Sequence, residues 1–315
     1  MLALFGLGLL ALAYSGCAGK SLHHVVERDV LSTDGLSCRG YLGWNSPDVQ
    51  HVFLWMNGTG VYSSAFIHPS VEEALEVNPA AYLTLDKPGI RAPFGDPAEM
   101  IVNDDELKRY TQGHMLDCAR QAMTWAEQQF GQEIQFHLRG HSEGTLVALF
   151  LYEKLLSEEP TLAARVSSLV LSGVGLEPFD ALIERQLSGL PAEQGSAIRA
   201  AIQSCDWDVL KTHLAISCPY LEDAAARPSG RSAFESIALR TPTVPFFLFQ
   251  GNDDFLTPVR YVQELEAWNN QAGHLDMTFR YYEGGHVGGP PEIKREVSDL
   301  LVRLTAPAPP RARPR

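Results

Sequence analysis

The apolar positions of the chain fall into two regimes. His24–Leu31 and Leu36–Trp44 are short runs rich in Val, Leu and Tyr, separated by Ser32-Thr33-Asp34-Gly35. A turn signal of this kind between two such runs predicts an antiparallel hairpin. Further along, short apolar runs alternate with longer stretches of helical periodicity. The runs are Val49–Met56, Ala80–Leu85, Ile134–Leu138, Val166–Ser172, Val244–Gln250 and Met277–Tyr282. Apolar strands spaced by helices predict an α/β architecture, a mostly parallel eight-stranded sheet flanked by helices on both faces.

From Asp104 to Phe130, apolar residues such as Leu107, Met115, Ala119, Ala122, Met123 and Trp125 recur at helical spacing, so the segment reads as one helix feeding the strand at 134. Thr145–Leu156 reads as a second, buried helix, and Pro290–Thr305 as a last amphipathic one with Pro near its start. Between residues 176 and 240 the alternation stops. Helix-like pieces at Phe179–Leu187 and Ala192–Gln203 are followed by a loop rich in Ala, Arg, Pro and Ser, which predicts a helical lid inserted between two strands. One domain over residues 17–305 accommodates all of this around one core. The Pro/Arg-rich residues 306–315 are expected to be a disordered tail.

Met1–Ala13 is an uncharged apolar run followed by Ser15, Gly16 and Cys17. It is short for a permanent membrane span. It predicts a signal peptide over residues 1–16, although no basic residue precedes the run. Tyr14-Ser15-Gly16-Cys17 resembles the lipobox of bacterial lipoproteins, with Tyr14 where that motif prefers Leu. The expectation is an exported protein of the bacterial cell envelope, or else a periplasmic or secreted one, with a lipid on Cys17 as its only link to a membrane.

Composition narrows the function classes. With 45% hydrophobic and 20% charged residues the chain is neither disordered nor polytopic. A formal net charge of -13 argues against a nucleic-acid partner, which needs a basic face. Setting Cys17 aside leaves Cys38, Cys118, Cys205 and Cys218. Cys205 and Cys218 are close enough in sequence to bridge locally, Cys38 and Cys118 would meet only through the fold, and four cysteines allow three pairings as well as free thiols. No Cys/His spacing suits zinc, and no metal or organic cofactor is expected.

The chemistry concentrates at three places. Gly140-His141-Ser142-Glu143-Gly144 lies between an expected strand and an expected helix, the context of a nucleophile elbow, where Gly at both flanks relieves crowding around a strained Ser. A serine hydroxyl needs a base to take its proton. His286, in the Gly-rich loop after the last strand, is placed to reach back over the sheet, and the chain order Ser, acid, His is satisfied. Asp253 and Asp254 both follow the penultimate strand in Gly251-Asn252-Asp253-Asp254-Phe255-Leu256-Thr257-Pro258.

At this turn the chain resembles the α/β-hydrolase superfamily, whose members often carry Gly-x-x-Asp-x-x-[Val/Thr]-Pro. Aligning on Gly251, Thr257 and Pro258 selects Asp254 as the acid, with Asp253 left to stabilise the turn. Leu85-Asp86-Lys87-Pro88-Gly89-Ile90 is similar to a turn of bacterial carboxylesterase-like and serine-aminopeptidase-like members, where its role is architectural. Asn57-Gly58-Thr59-Gly60 resembles their His-Gly-x-x oxyanion loop with Asn57 in place of His. The resemblance implies oxyanion donors at Glu143 and Thr59, with Gly60 in reserve. It spans residues 49–175 and 241–304 and leaves the lid unmatched.

The expected function is therefore hydrolysis of a carboxylic ester or related acyl bond in a small-molecule substrate, through Ser142, His286 and Asp254 and an acyl-enzyme. A serine aminopeptidase or an acyltransferase would use the same residues. A binding module that kept the fold without catalysis is the non-enzymatic alternative.

Overall fold

The computed structural model describes residues 22–306 apart from 215, 241, 287 and 288. The expected signal peptide and lipobox, and all but the first residue of the expected tail, lie outside the described residues. The hairpin expected at the start is present as β1 (His24–Leu31) and β2 (Ser37–Trp44). β3 (His51–Met56), α1 (Pro69–Val77) and β4 (Ala80–Leu85) follow. Two-residue strands β5 (Ile90–Arg91) and β6 (Ile101–Val102) pair with each other as a small separate sheet. Then come α2 (Asp104–Leu107), α3 (Gln112–Phe130), β7 (Gln135–His141), α4 (Glu143–Glu158), α5 (Pro160–Ala163) and β8 (Val166–Ser172). The segment to β9 holds α6 (Phe179–Ser188), α7 (Ala192–Ser204), α8 (Trp207–His213), α9 (Cys218–Ala226) and α10 (Gly230–Ala238). β9 (Phe246–Gly251), α11 (Val259–Ala272), β10 (Met277–Tyr282) and α12 (Pro291–Leu304) complete the described chain.

The main sheet has eight strands in the order β1-β2-β4-β3-β7-β8-β9-β10. Only β2 runs against its neighbours; β4, β3, β7, β8, β9 and β10 pair in parallel. Side chains alternate faces along a strand, so the central strands feed two cores. On one face Val52, Leu54 and Met56 join Leu138, Leu169 and Leu248 under α3, α4 and α11. On the other, Phe53 and Trp55 join Tyr82, Val170 and Phe249 under α1 and α12, through Val71, Leu75, Val297 and Leu301.

This order positions the site. β3 connects outward to β4, whereas β7 continues through β8 to β10 in the opposite direction. In a parallel sheet such a reversal leaves a crevice at the carboxyl ends of the two strands, and ligands bind there. Met56 at the end of β3 is in register with Gly140, two residues before Ser142.

Two expectations about helices need correction. Asp104–Phe130 is not one helix: it breaks between α2 and α3, because Thr111 starts a new helix by a capping box in which its side chain takes the His114 N–H and His114 takes the Thr111 N–H. The break carries Tyr110 into the core, fully buried. The Ala-, Arg-, Pro- and Ser-rich stretch after Gln203 is helical, as α8, α9 and α10. Each starts on a side-chain cap, Asp206 to Val209 N, Ser217 to Tyr220 N and Ser229 to Ser232 N, and Pro219 sits in the first turn of α9, where it costs no hydrogen bond. α1, α5, α11, β5 and β6 have no counterpart among the elements expected from the sequence.

The cysteines pair as Cys38–Cys118 and Cys205–Cys218. The first ties β2 to α3, and the second ties the end of α7 to the start of α9 within the helical segment.

Candidate active site

β7 runs straight into Ser142, which has φ 55° and ψ -122° and serves as N-cap of α4 without using its side chain for a cap bond. A positive φ at a non-Gly residue costs on the order of 1–3 kcal/mol, held in place by its surroundings. Those surroundings are visible: Ser142 N donates to Ser172 O at 2.9 Å, and its carbonyl accepts from the backbone and hydroxyl of Thr145. The flanking glycines are required by contact. A Cβ on Gly140 would lie 2.3 Å from Gly144 O, and one on Gly144 would lie 2.0 Å from Met56 O.

The turn after β9 separates the two adjacent aspartates. Asp253 is exposed, and its backbone N–H bonds Gly284 O at 3.0 Å. Asp254 is buried, and His286 Nδ1 stands 2.8 Å from its Oδ2. The same oxygen takes the Thr257 hydroxyl at 2.6 Å and Gln250 Nε2 at 3.0 Å, while Oδ1 takes the N–H groups of Leu256 and Thr257, both at 2.9 Å. Burial alone would raise the Asp254 pKa; the hydrogen bond and charge of His286, with Thr257, hold it below the ordinary carboxylate value.

His286 is nearly buried, and its Nε2 has no hydrogen-bond partner among the described residues. It sits at the ends of β7 and β8: its ring is 5.0 Å from that of His141, and a Cβ on Gly173 would lie 2.8 Å from its Cε1. Burial, and then the neighbouring His286, push the His141 pKa down to about 3, so that imidazole is neutral at ordinary pH; its Nδ1 faces Ser172 Oγ at 3.0 Å. Asp254 and His286 are thus joined through Nδ1 beside the turn that carries Ser142, while His286 Nε2 makes no hydrogen bond to the Ser142 hydroxyl.

The expected oxyanion residues are placed unevenly. Glu143 opens α4, and its backbone N–H lies in the first turn, where such groups have no partner within the helix. In the loop after β3, Gly58 rather than Thr59 packs on the serine: a Cβ on Gly58 would lie 2.9 Å from Ser142 Cβ. Thr59 is exposed, and its N–H belongs to the peptide following Gly58. Gly60 has φ +150° and abuts the Tyr62 ring, whose hydroxyl donates to Gly58 O at 2.8 Å. Asn57 braces the loop, accepting from Trp55 Nε1 at 2.5 Å and donating to Ser64 Oγ.

The side-chain partners of Glu143, Lys87 and Asp86 are not legible in the sequence. Glu143 turns its side chain into the protein, to Lys87 Nζ at 2.8 Å and the Tyr110 hydroxyl at 2.8 Å, with both members of the ion pair buried. Asp86, fully buried, takes the hydroxyls of Tyr41 at 2.6 Å and Ser63 at 2.8 Å, so the Asp-Lys turn after β4 anchors the loop that follows β3. Gln250 is legible in retrospect as a polar residue in an apolar strand. Among the described residues no group of three or more His, Cys, Asp or Glu is placed to share a metal ion, and no helix is long and apolar enough to cross a membrane.

No family model and no curated protein matches this sequence. Solved structures do. An esterase of Pyrococcus furiosus, Pf2001, is 16% identical over 90% of this chain and 91% of its own, with a TM-score of 0.55. A thermostable carboxyl esterase from Bacillus coagulans, in complex with glycerol, is 16% identical over 89% of this chain and 97% of its own, with a TM-score of 0.57. A lipase in an open form is 17% identical over 90% and 98%, with a TM-score of 0.60. The chain has the α/β-hydrolase fold. At these identities the likeness shows the fold alone.

Proposed function

We propose that this protein is a serine hydrolase cleaving carboxylic esters. Ser142 Oγ attacks the carbonyl carbon as its proton passes to His286 Nε2, while Asp254 holds the other ring nitrogen and offsets the imidazolium charge. The oxyanion is received by the backbone N–H of Glu143 and by that of Thr59, with Gly60 in reserve. The proton returns to the departing alcohol, and water, activated by the same histidine, releases the acid from Ser142.

The observation that carries this reading is His286, bound at Nδ1 by a buried Asp254 and left free at Nε2 beside the serine elbow. The esterases and the lipase named above favour an ester over an amide as the substrate class. The test is turnover of a series of p-nitrophenyl esters. Ser142→Ala is expected to lower kcat by about 10⁶-fold, the loss that removal of a nucleophile brings. Unchanged turnover in Ser142→Ala rejects the reading. The N-terminal residues extend the proposal to an exported lipoprotein, tested by incorporation of a fatty-acid analogue at Cys17 in a bacterial host.

A further inference from the structure

Helix α6, in the segment between β8 and β9, sends Arg185 across to the turn that carries Asp254. Its guanidinium is gripped on one side by Glu177, with Nε 3.1 Å from both carboxylate oxygens and Nη2 2.6 Å from Oε2. On the other side Nη2 donates to Leu256 O at 2.7 Å and Nη1 donates to Phe255 O. Gln186 Nε2 adds a longer bond to Leu256 O at 3.4 Å.

The two carbonyls are not arbitrary acceptors. The Phe255 carbonyl shares a peptide group with the Leu256 N–H, and the Leu256 carbonyl shares one with the Thr257 N–H. Those N–H groups are the two that hold Asp254 Oδ1, each at 2.9 Å. A cation at the oxygen end of a peptide polarises it and strengthens donation at the nitrogen end. Arg185 thus reaches the Asp254 carboxylate through two peptide planes without touching it.

We infer that Arg185 is a positioning residue for Asp254, acting through the peptide groups 255–256 and 256–257, and that seating of the helical segment on the turn thereby sets the acid of the site. The inference rests on the reading of Asp254 and His286 as acid and base. The other ionisable groups facing this pair are His141 from the elbow and Tyr282 at the end of β10. Around Arg185 they are Glu177, and beyond it Arg260 on α11. None of these bonds the 255–256 or 256–257 carbonyls among the described contacts, so Arg185 is the charge that acts along this path.

The test compares the full chain with Arg185→Met and Arg185→Lys, following the Asp254 side-chain carboxyl by carbon NMR across a pH titration and kcat and KM for a p-nitrophenyl ester. In Arg185→Met the Asp254 titration midpoint is expected to rise by roughly half a pH unit, as a carboxylate losing donor strength must. kcat is expected to fall by about tenfold with KM nearly unchanged, through looser placement of the acid. Arg185→Lys, whose ammonium is a point charge without the planar fork, falls between the two. A packing role alone would lower melting temperature and leave the midpoint in place, and an unmoved midpoint in folded variants overturns the inference. If Arg185→Met does not fold, Arg185→Lys decides by the same criterion. The titration needs no turnover: a wild-type protein whose Ser142 takes no fluorophosphonate rejects the hydrolase reading, while the midpoint still reports on the coupling.

Discussion

Gly58 and Ser142 meet across the mouth of the β3–β7 crevice, with room for no side chain at residue 58: a Cβ there would lie 2.9 Å from Ser142 Cβ and 3.3 Å from the His141 carbonyl oxygen. Both contacts are with the strained elbow, so Gly58→Ala must displace the loop that carries the Thr59 N–H. A misplacement of about 1 Å near reacting groups costs on the order of 10²-fold. Gly58→Ala is therefore expected to lower kcat/KM for a p-nitrophenyl ester by roughly that factor, with a stability loss of about 1–3 kcal/mol from overpacking, read by urea unfolding.

The two adjacent aspartates give a direct contrast. Asp254→Asn should keep the fold yet lower kcat by about 10⁴-fold, the loss seen when the acid of a triad becomes an amide and fixes the wrong histidine tautomer. Asp253 is exposed, and among the described residues its hydrogen bond at this turn is made by its backbone N–H. Asp253→Asn is expected to stay within a few-fold of wild type. Reversal of this order in steady-state kinetics would reassign the acid.

What the sequence made legible was whatever lives in local pattern. Alternating apolar runs placed all eight strands of the main sheet, and a Gly-flanked serine between strand and helix marked the elbow. Less local effects stayed hidden. Tyr110 reads as one more helical residue, yet the Thr111 capping box breaks the helix there and turns its hydroxyl onto Glu143. The Pro in α9 looked like a loop marker because its acceptable position, the first turn, depends on the Ser217 cap. Arg185 acts on backbone carbonyls some seventy residues away, and no side-chain motif records a carbonyl.

Asp86 offers a pH test of the buried network. Burial raises its pKa from 3.8 to about 6, against the opposing hydrogen bonds of Tyr41, Ser64 and Ser63. A carboxyl whose folded pKa exceeds its unfolded one contributes stability that is whole below the unfolded value and lost as pH rises through the folded one. Between pH 4 and 6.5 the wild type should thus lose up to about 3 kcal/mol relative to Asp86→Asn, since each pH unit between the folded and unfolded values is worth roughly 1.4 kcal/mol. Urea unfolding of both proteins across that window checks it; parallel curves would refute the assignment.

Lys87 and Glu143 form a buried pair at 2.8 Å directly behind the elbow. Removing one partner of such a pair leaves a buried charge and costs about 3–5 kcal/mol. Lys87→Met should show most of that loss, and Lys87→Met with Glu143→Gln should recover part of it, since no ion is then stranded. A double-mutant cycle in urea is expected to give a coupling above about 1 kcal/mol. Additive losses would mean that the two side chains do not depend on each other.

The central claim is that Ser142 is a nucleophile activated by His286. Treatment of the folded protein with a fluorophosphonate, followed by peptide mass mapping, tests it most directly, because the reagent needs an activated serine and no knowledge of the substrate. The account predicts a single adduct on Ser142, absent from Ser142→Ala and formed orders of magnitude more slowly in His286→Ala. No adduct on the wild type, or one that forms equally fast without His286, would contradict it.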